Sequence, residues 1–139
     1  MTMEQSCGAV VFIKNEETEY LLLHYGEGHW GFVKGHVENN ETEKETTLRE
    51  LKEETGLSQV EFLDGFKEKI YYFYKRNYIT IYKKVTFFLI RAQHKKIKLS
   101  NEHVGYEWLN YKKAKEKLSF KNSKNILEKA HRLLENVFS

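Results

Sequence analysis

The feature that most limits what this chain can fold into lies between Gly35 and Leu57. There Gly35-His36-Val37-Glu38-Asn39-Asn40-Glu41 leads into a segment that ends Arg49-Glu50-Leu51-Lys52-Glu53-Glu54-Thr55-Gly56-Leu57. On a helix, residues three and four apart share a face. Glu50, Glu53 and Glu54 are therefore expected to converge on one patch, with Arg49 at its flank, one turn from Glu45 and Glu53. Like charges so placed repel and weaken an isolated helix. A divalent cation is the simplest compensation, and all-oxygen ligation suits magnesium or manganese. The plainer alternative is a solvated helix with charge pairs such as Glu45–Arg49–Glu53, each worth roughly a few tenths of a kcal/mol. The loop glycine, the helix-ending Gly56 and the Arg-Glu core favour the metal site.

That helix is expected over 43–55, with Leu48 and Leu51 facing inward and Gly56 as a left-handed stop. Its N-cap is either Asn40 or Thr42. Upstream, Cys7 to Ile13 reads as a buried strand, and Tyr20 to His24 as a second that pairs back on it across a polar turn. Gly26 to Trp30 is a loop. Downstream, strands are expected at Val60–Leu63, Phe66–Tyr74, Thr80–Ile90 and Tyr106–Leu109, then helices at Tyr111–Leu118 and Ser123–Val137. Strands on both sides of a central helix indicate an α/β protein with a mixed sheet.

At 139 residues, with 40% hydrophobic and 31% charged residues, the whole chain, 1–139, is expected to form one domain around one core. A net charge of +3 gives no argument for nucleic acid, and no stable nucleic-acid partner is expected. No apolar stretch approaches the roughly 20 residues of a membrane span, and the N-terminus lacks the pattern of a signal peptide. Cys7 has no second cysteine to pair with, which fits a reducing, cytoplasmic setting, and its place in an apolar strand marks it as structural.

The spacing of Gly35, Glu41 and Arg49-Glu50-Leu51-x-Glu53-Glu54-x-Gly56-Leu57 resembles the Nudix box at every defining position. The resemblance implies a Nudix fold, an α/β/α sandwich with a mixed β-sheet and a loop–helix–loop box. It also implies a hydrolase of phosphoanhydride bonds in nucleoside diphosphate derivatives, dependent on Mg2+ or Mn2+. By resemblance, Glu53 and Glu54 are the principal metal ligands, and Glu50 is a third ligand or the proton acceptor. Arg49 orients the glutamates, Gly35 lets the backbone approach metal and phosphates, and Glu41 braces the loop.

A narrower resemblance covers most of the chain. Ser6-Cys7-Gly8-Ala9-Val10-Val11-Phe12, Tyr20-Leu21-Leu22-Leu23 and His29-Trp30-Gly31-Phe32-Val33-Lys34-Gly35-His36-Val37-Glu38 are similar to the asymmetrical diadenosine tetraphosphate hydrolases of animals and archaea. Gly65-Phe66-Lys67 and Leu99-Ser100-Asn101-Glu102-His103-x-x-Tyr106-x-Trp108-Leu109 are too. The resemblance implies cleavage of a small-molecule dinucleoside polyphosphate to ATP and AMP by a monomer. It puts Lys34 and His36 on the polyphosphate and Glu102 at extra metal binding or base catalysis. Tyr72 falls where a ring stacks on adenine, with Phe120 its partner, and Lys75 and Arg76 follow near a matching basic residue. His103 reads as a structural residue near the ligands, Trp30 as packing, and His94 to Lys98 as a solvated turn.

The chain departs from this pattern at Val33, where the family usually has proline, and at Asn39-Asn40, where it has Pro-Gly. Asparagine accepts left-handed backbone, so the turn survives the change. One rival keeps the chemistry and changes the substrate to an oxidised nucleoside triphosphate, ADP-ribose or the 5′ end of RNA. Another is a non-catalytic nucleotide-binding Nudix protein, which the intact set of box carboxylates disfavours.

Overall fold

A strand needs an unbroken apolar run only when both its faces are covered, and Cys7 to Ile13 is such a run. In the computed structural model, which describes residues 2–138, this run lies in the central strand β1 (Thr2–Lys14). Val10 and Phe12 point into one core cluster and Ala9 and Val11 into another. The remaining strands are β2 (Thr18–Tyr25), β3 (Trp30–Gly31), β4 (Val33–His36), β5 (Val60–Arg76), β6 (Ile79–Ala92) and β7 (His103–Asn110). The helices are α1 (Glu43–Thr55), α2 (Tyr111–Lys117) and α3 (Lys121–Val137). The sheet runs β3-β2-β1-β6-β5, with β4 also on β1 and β7 also on β2. Only β1 and β6 pair in parallel, so the sheet is mixed.

Leu51 of α1 and Leu57 belong to the cluster on one face; Ala114 of α2 and Ile126, Leu127, Ala130 and Leu134 of α3 belong to the other. This is the expected three-layer sandwich. One edge of β1 is divided. Phe12 to Lys14 form a hairpin with β2, whereas Ser6 to Ala9 pair with β4. The two neighbours part there, and the polar residues of the candidate site collect around that fork.

The helix α1 starts and stops where its local chemistry dictates. Thr42 is the N-cap: its hydroxyl accepts from Glu45 N, and the Glu45 carboxylate accepts from Thr42 N in return. Glu45 is thereby committed to the cap rather than to Arg49. Gly56 ends the helix at φ 78 and donates to Lys52 O. The inward row is Thr47, Leu51, Glu54 and Thr55. Leu48, expected inward, is 40% exposed, because the row is displaced by one residue toward the small threonines.

The strands expected at 60–63 and 66–74 are one strand. A register shift between Phe62 and Lys67, with Gly65 at φ 87, inserts a bulge where the glycine suggested a turn. β3 and β4 are too short to announce themselves in the sequence. None of the rings in Tyr71-Tyr72-Phe73-Tyr74 is fully buried: Tyr71 and Phe73 are 49% and 61% exposed, while Tyr72 packs half-buried against the core. Cys7 is buried, and burial pushes its thiol up to about 11, out of reach of thiolate chemistry at neutral pH.

Replacing Thr42 by Ala removes the cap while leaving the helix packing intact. Unfolding in urea should then lose about 1 kcal/mol of stability with an unchanged denaturant slope.

Candidate active site

Arg49 organises the box. Its Nε donates to Glu41 Oε2 at 2.6 Å and its Nη2 to Glu41 Oε1 at 3.0 Å, a two-pronged contact. Nη1 donates to Glu50 Oε1 at 2.9 Å and Glu53 Oε2 at 3.3 Å, and lies 3.6 Å from Glu38 Oε1. Nη2 also reaches the carbonyl of His36 on β4 at 2.9 Å. The guanidinium hydrogen bonds hold the Glu41 carboxyl down at about 2. Glu41 Oε1 in turn accepts from Glu38 N and Thr46 Oγ1, closing the loop over Asn40, whose φ is 67. Much of the repulsion between carboxylates that the sequence assigned to a cation is thus already relieved by this arginine.

The expected carboxylate patch divides in two. Glu53 is turned outward, with a side chain 59% exposed. Glu54 is turned inward and is 3% exposed; neither of its carboxylate oxygens has a hydrogen-bond partner. His103 Nε2 approaches Glu54 Oε1 at 3.0 Å but is not aligned to donate to it. Burial first, and then the charge of Glu54, push the Glu50 carboxyl up to about 7. Glu50 lies against Gly35: a Cβ there would stand 1.9 Å from Glu50 Cδ. Among the described residues no three His, Cys, Asp or Glu groups already form a metal cage. A buried carboxylate with both oxygens unpaired, beside a second crowded carboxyl, is nonetheless the donor chemistry that a hard divalent cation fits.

Two cavities flank these residues. One, of about 370 Å³, is walled by Ser6, Lys34, Gly35, His36, Glu50, Lys83 and Glu102 among others. The other, of about 420 Å³, is an apolar slot walled by His29, Phe32, Ile70, Tyr72, Phe87 and Phe120 among others. Tyr25 and Lys34 border both. Tyr25 stacks on His29 at 4.4 Å between centroids, meets His103 edge-on at 4.6 Å, and donates to Phe32 O at 2.5 Å. Burial lowers the Lys34 pKa, opposed mainly by the charge of Glu54. Its Nζ lies 6.0 Å from the Tyr72 ring centroid. Phe120, at the start of α3 and 55% exposed, lies 5.3 Å from the His29 ring.

The structure therefore brings Lys34, Gly35, His36, Glu50 and Glu102 to one cavity and Tyr72 and Phe120 to the adjoining slot. It does not bring Lys75 or Arg76 to either. Arg76 pairs with Glu4 at 3.2 Å and donates to the Tyr74 hydroxyl, toward the far end of the β5–β6 hairpin. Lys83, opposite Tyr72 on β6, takes the place expected of them. It shares strand parity with Ile81, Val85 and Phe87, so a lysine in an otherwise apolar row was the available signal. Its pKa is pulled down by burial and then by Lys34. Tyr25, His29 and Ser6 were also missed; the loop beside Tyr25 and His29 gave no chemical signal of its own.

A site with carboxylates at one end, two lysines beside them and an aromatic slot adjoining suits a ligand that is anionic at one part and flat at another. Known proteins agree with this chemistry. The chain is 34% identical to the asymmetrical bis(5′-nucleosyl)-tetraphosphatase of Mus musculus, over 94% of this chain and 95% of that one. It is 32% identical to the protein of the same name from Sus scrofa, over the same shares. Its fold superposes on a binary complex of C. elegans Ap4A hydrolase with a TM-score of 0.84 at 25% identity, covering 96% of this chain and 98% of that one. Residues 5–130 match the family described as the NUDIX domain, and the chain belongs to the Nudix family.

Proposed function

We propose that the protein hydrolyses diadenosine tetraphosphate and related dinucleoside polyphosphates asymmetrically, giving ATP and AMP. The observation that carries this reading is the shared wall of the two cavities. Lys34 and Tyr25 border both the polar cavity and the aromatic slot, so a nucleobase in the slot has its phosphates beside Lys34 and Lys83. The mammalian relatives of the same name support it.

In this reading Tyr72 and Phe120 flank an adenine, and base stacking contributes roughly 1–3 kcal/mol. Lys34, Lys83 and His36 draw in the phosphates. Glu54, with Glu50, Glu53, Glu102 and the backbone at Gly35, holds the divalent cation, magnesium or manganese. When bound, that cation supplies positive charge to the phosphate oxygens and polarises the attacking water. Arg49 fixes Glu50 and the loop carrying His36, so the carboxylates keep their register. Glu50 and Glu102 both line the polar cavity, and whichever of them is not engaged with the cation accepts the proton that water gives up. The water oxygen bonds to an outer phosphorus, the bridging P–O bond breaks, and ATP departs from AMP.

The protein works in this reading as a single-domain monomer in a reducing cytoplasm, with no nucleic-acid partner. Among the described residues no helix is long and apolar enough to cross a membrane.

The test is product analysis by anion exchange after turnover of diadenosine tetraphosphate with magnesium in oxygen-18 water. ATP plus AMP with the label in AMP is expected. Two molecules of ADP would overturn the cleavage register, and turnover of ADP-ribose or 5′-triphosphorylated RNA alone would overturn the substrate.

Two substitutions check the assigned roles. Gly35→Ala should displace the flexible Glu50 side chain while sparing the core. Activity should fall on the order of 10²-fold, since the interactions of a catalytic cation are worth several kcal/mol, with the thermal midpoint nearly unchanged. Tyr72→Ala should raise KM by roughly 5- to 100-fold, the equivalent of one lost stacking contact, with kcat affected less.

A further inference from the structure

The loop from Lys98 to His103 is tied to the end of α1. Lys98 N donates to Thr55 O at 2.9 Å and Ser100 N to Glu54 O at 3.3 Å, so main chain alone fixes this loop against the residue that carries the buried carboxylate. His103 N returns to Ser100 O at 3.3 Å. The His103 side chain is fully enclosed, at 0% exposure, with the edge of its ring contact taken by Tyr25.

The polar atoms of this imidazole can be accounted for one by one. Nδ1 lies 3.3 Å from Ser100 Oγ. That hydroxyl accepts from Glu102 N at 3.4 Å and has its own proton free to donate to Nδ1. A ring that accepts at Nδ1 carries its proton on Nε2. Nε2 has no hydrogen-bond partner, and neither has either oxygen of Glu54, yet the two residues approach to 3.0 Å. Two enclosed, mutually unpaired polar groups at contact distance are each other's partner after a small rotation, because leaving both unmade costs about 1–3 kcal/mol for each group.

We propose that His103 is a positioning residue, its Nε2–H holding Glu54 Oε1 so that Oε2 is presented to the divalent cation. Ser100 sets the tautomer, and the same turn carries Glu102 to the wall of the polar cavity. One loop therefore bears on two carboxylates, Glu54 and Glu102. Outer partners of this kind typically change metal affinity by about 10- to 100-fold. The inference rests on the reading of Glu54 as a metal ligand.

The test is Mn2+ binding to the purified protein, followed by electron paramagnetic resonance and titration calorimetry without substrate. His103→Leu should weaken Mn2+ binding by about 10- to 100-fold. His103→Gln, whose amide N–H reaches a position like that of Nε2, should recover most of the loss. A purely structural role would lower the thermal midpoint in both variants and separate neither by metal affinity. Nitrogen-15 NMR of the unsubstituted protein should show His103 protonated at Nε2 and not at Nδ1, and needs no variant to fold. Wild-type Mn2+ affinity in His103→Leu, or an Nδ1–H tautomer, overturns the proposal. Glu54→Gln separates the two ideas: normal Mn2+ binding there overturns the ligand role of Glu54, and His103 with it. Weak binding in Glu54→Gln but normal binding in His103→Leu overturns the His103 role alone.

Discussion

A short helix crowded with carboxylates cannot sit against a sheet unless something balances them, and in this chain that balance is Arg49. One guanidinium meets Glu41, Glu50, Glu53 and the carbonyl of His36, with Glu38 near by. Its planar fork lets it bridge a loop, a helix and a strand at once, which a lysine's point charge would not do. With Glu41 bound on two prongs, the turn through Asn40 is closed and tied to the end of β4 at His36. What this network leaves unbalanced is Glu54, buried with neither carboxylate oxygen hydrogen-bonded.

The sheet explains why a polar cavity opens beside Glu50 of this helix. β1 is covered on both faces and shared along one edge by β2 and β4, so Ser6 lies beside His36 of β4, and both line the polar cavity. Lys83 reaches the same place from β6, and Glu102 from the turn before β7. Residues far apart in the chain meet because a parallel pairing and a divided strand edge converge there. Tyr25 divides the resulting space into a polar and an apolar compartment, and its stacked and edge-on ring contacts hold it in place.

Much of this was legible in the sequence because it is local. The bounds of α1 and the left-handed Gly56 depend on spacing within a few turns, and both appear where spacing put them, whereas the single glutamate patch split into an outward Glu53 and an inward Glu54. What failed depends on neighbours distant in sequence. Leu48 turned outward because the sheet beneath α1 is met by threonines. The break at Gly65 became a bulge because β6 continued past it as a template. Lys83 escaped notice because its nearness to Tyr72 runs across the sheet and not along the chain. The Glu54–His103 contact joins residues that no periodicity relates.

β5 has a further consequence. It is a long strand at the margin of the sheet, with Tyr71 and Phe73 open to solvent. A flat, greasy margin of this sort invites other copies to add on, strand by strand, into aggregates. Lys67, Lys69 and Lys75 interrupt the same stretch, and the bulge between Phe62 and Lys67 bends it away from planarity. An incoming strand would have to bury these ammonium groups against its own chain. These lysines and the bulge therefore oppose strand addition along the open edge of the hairpin.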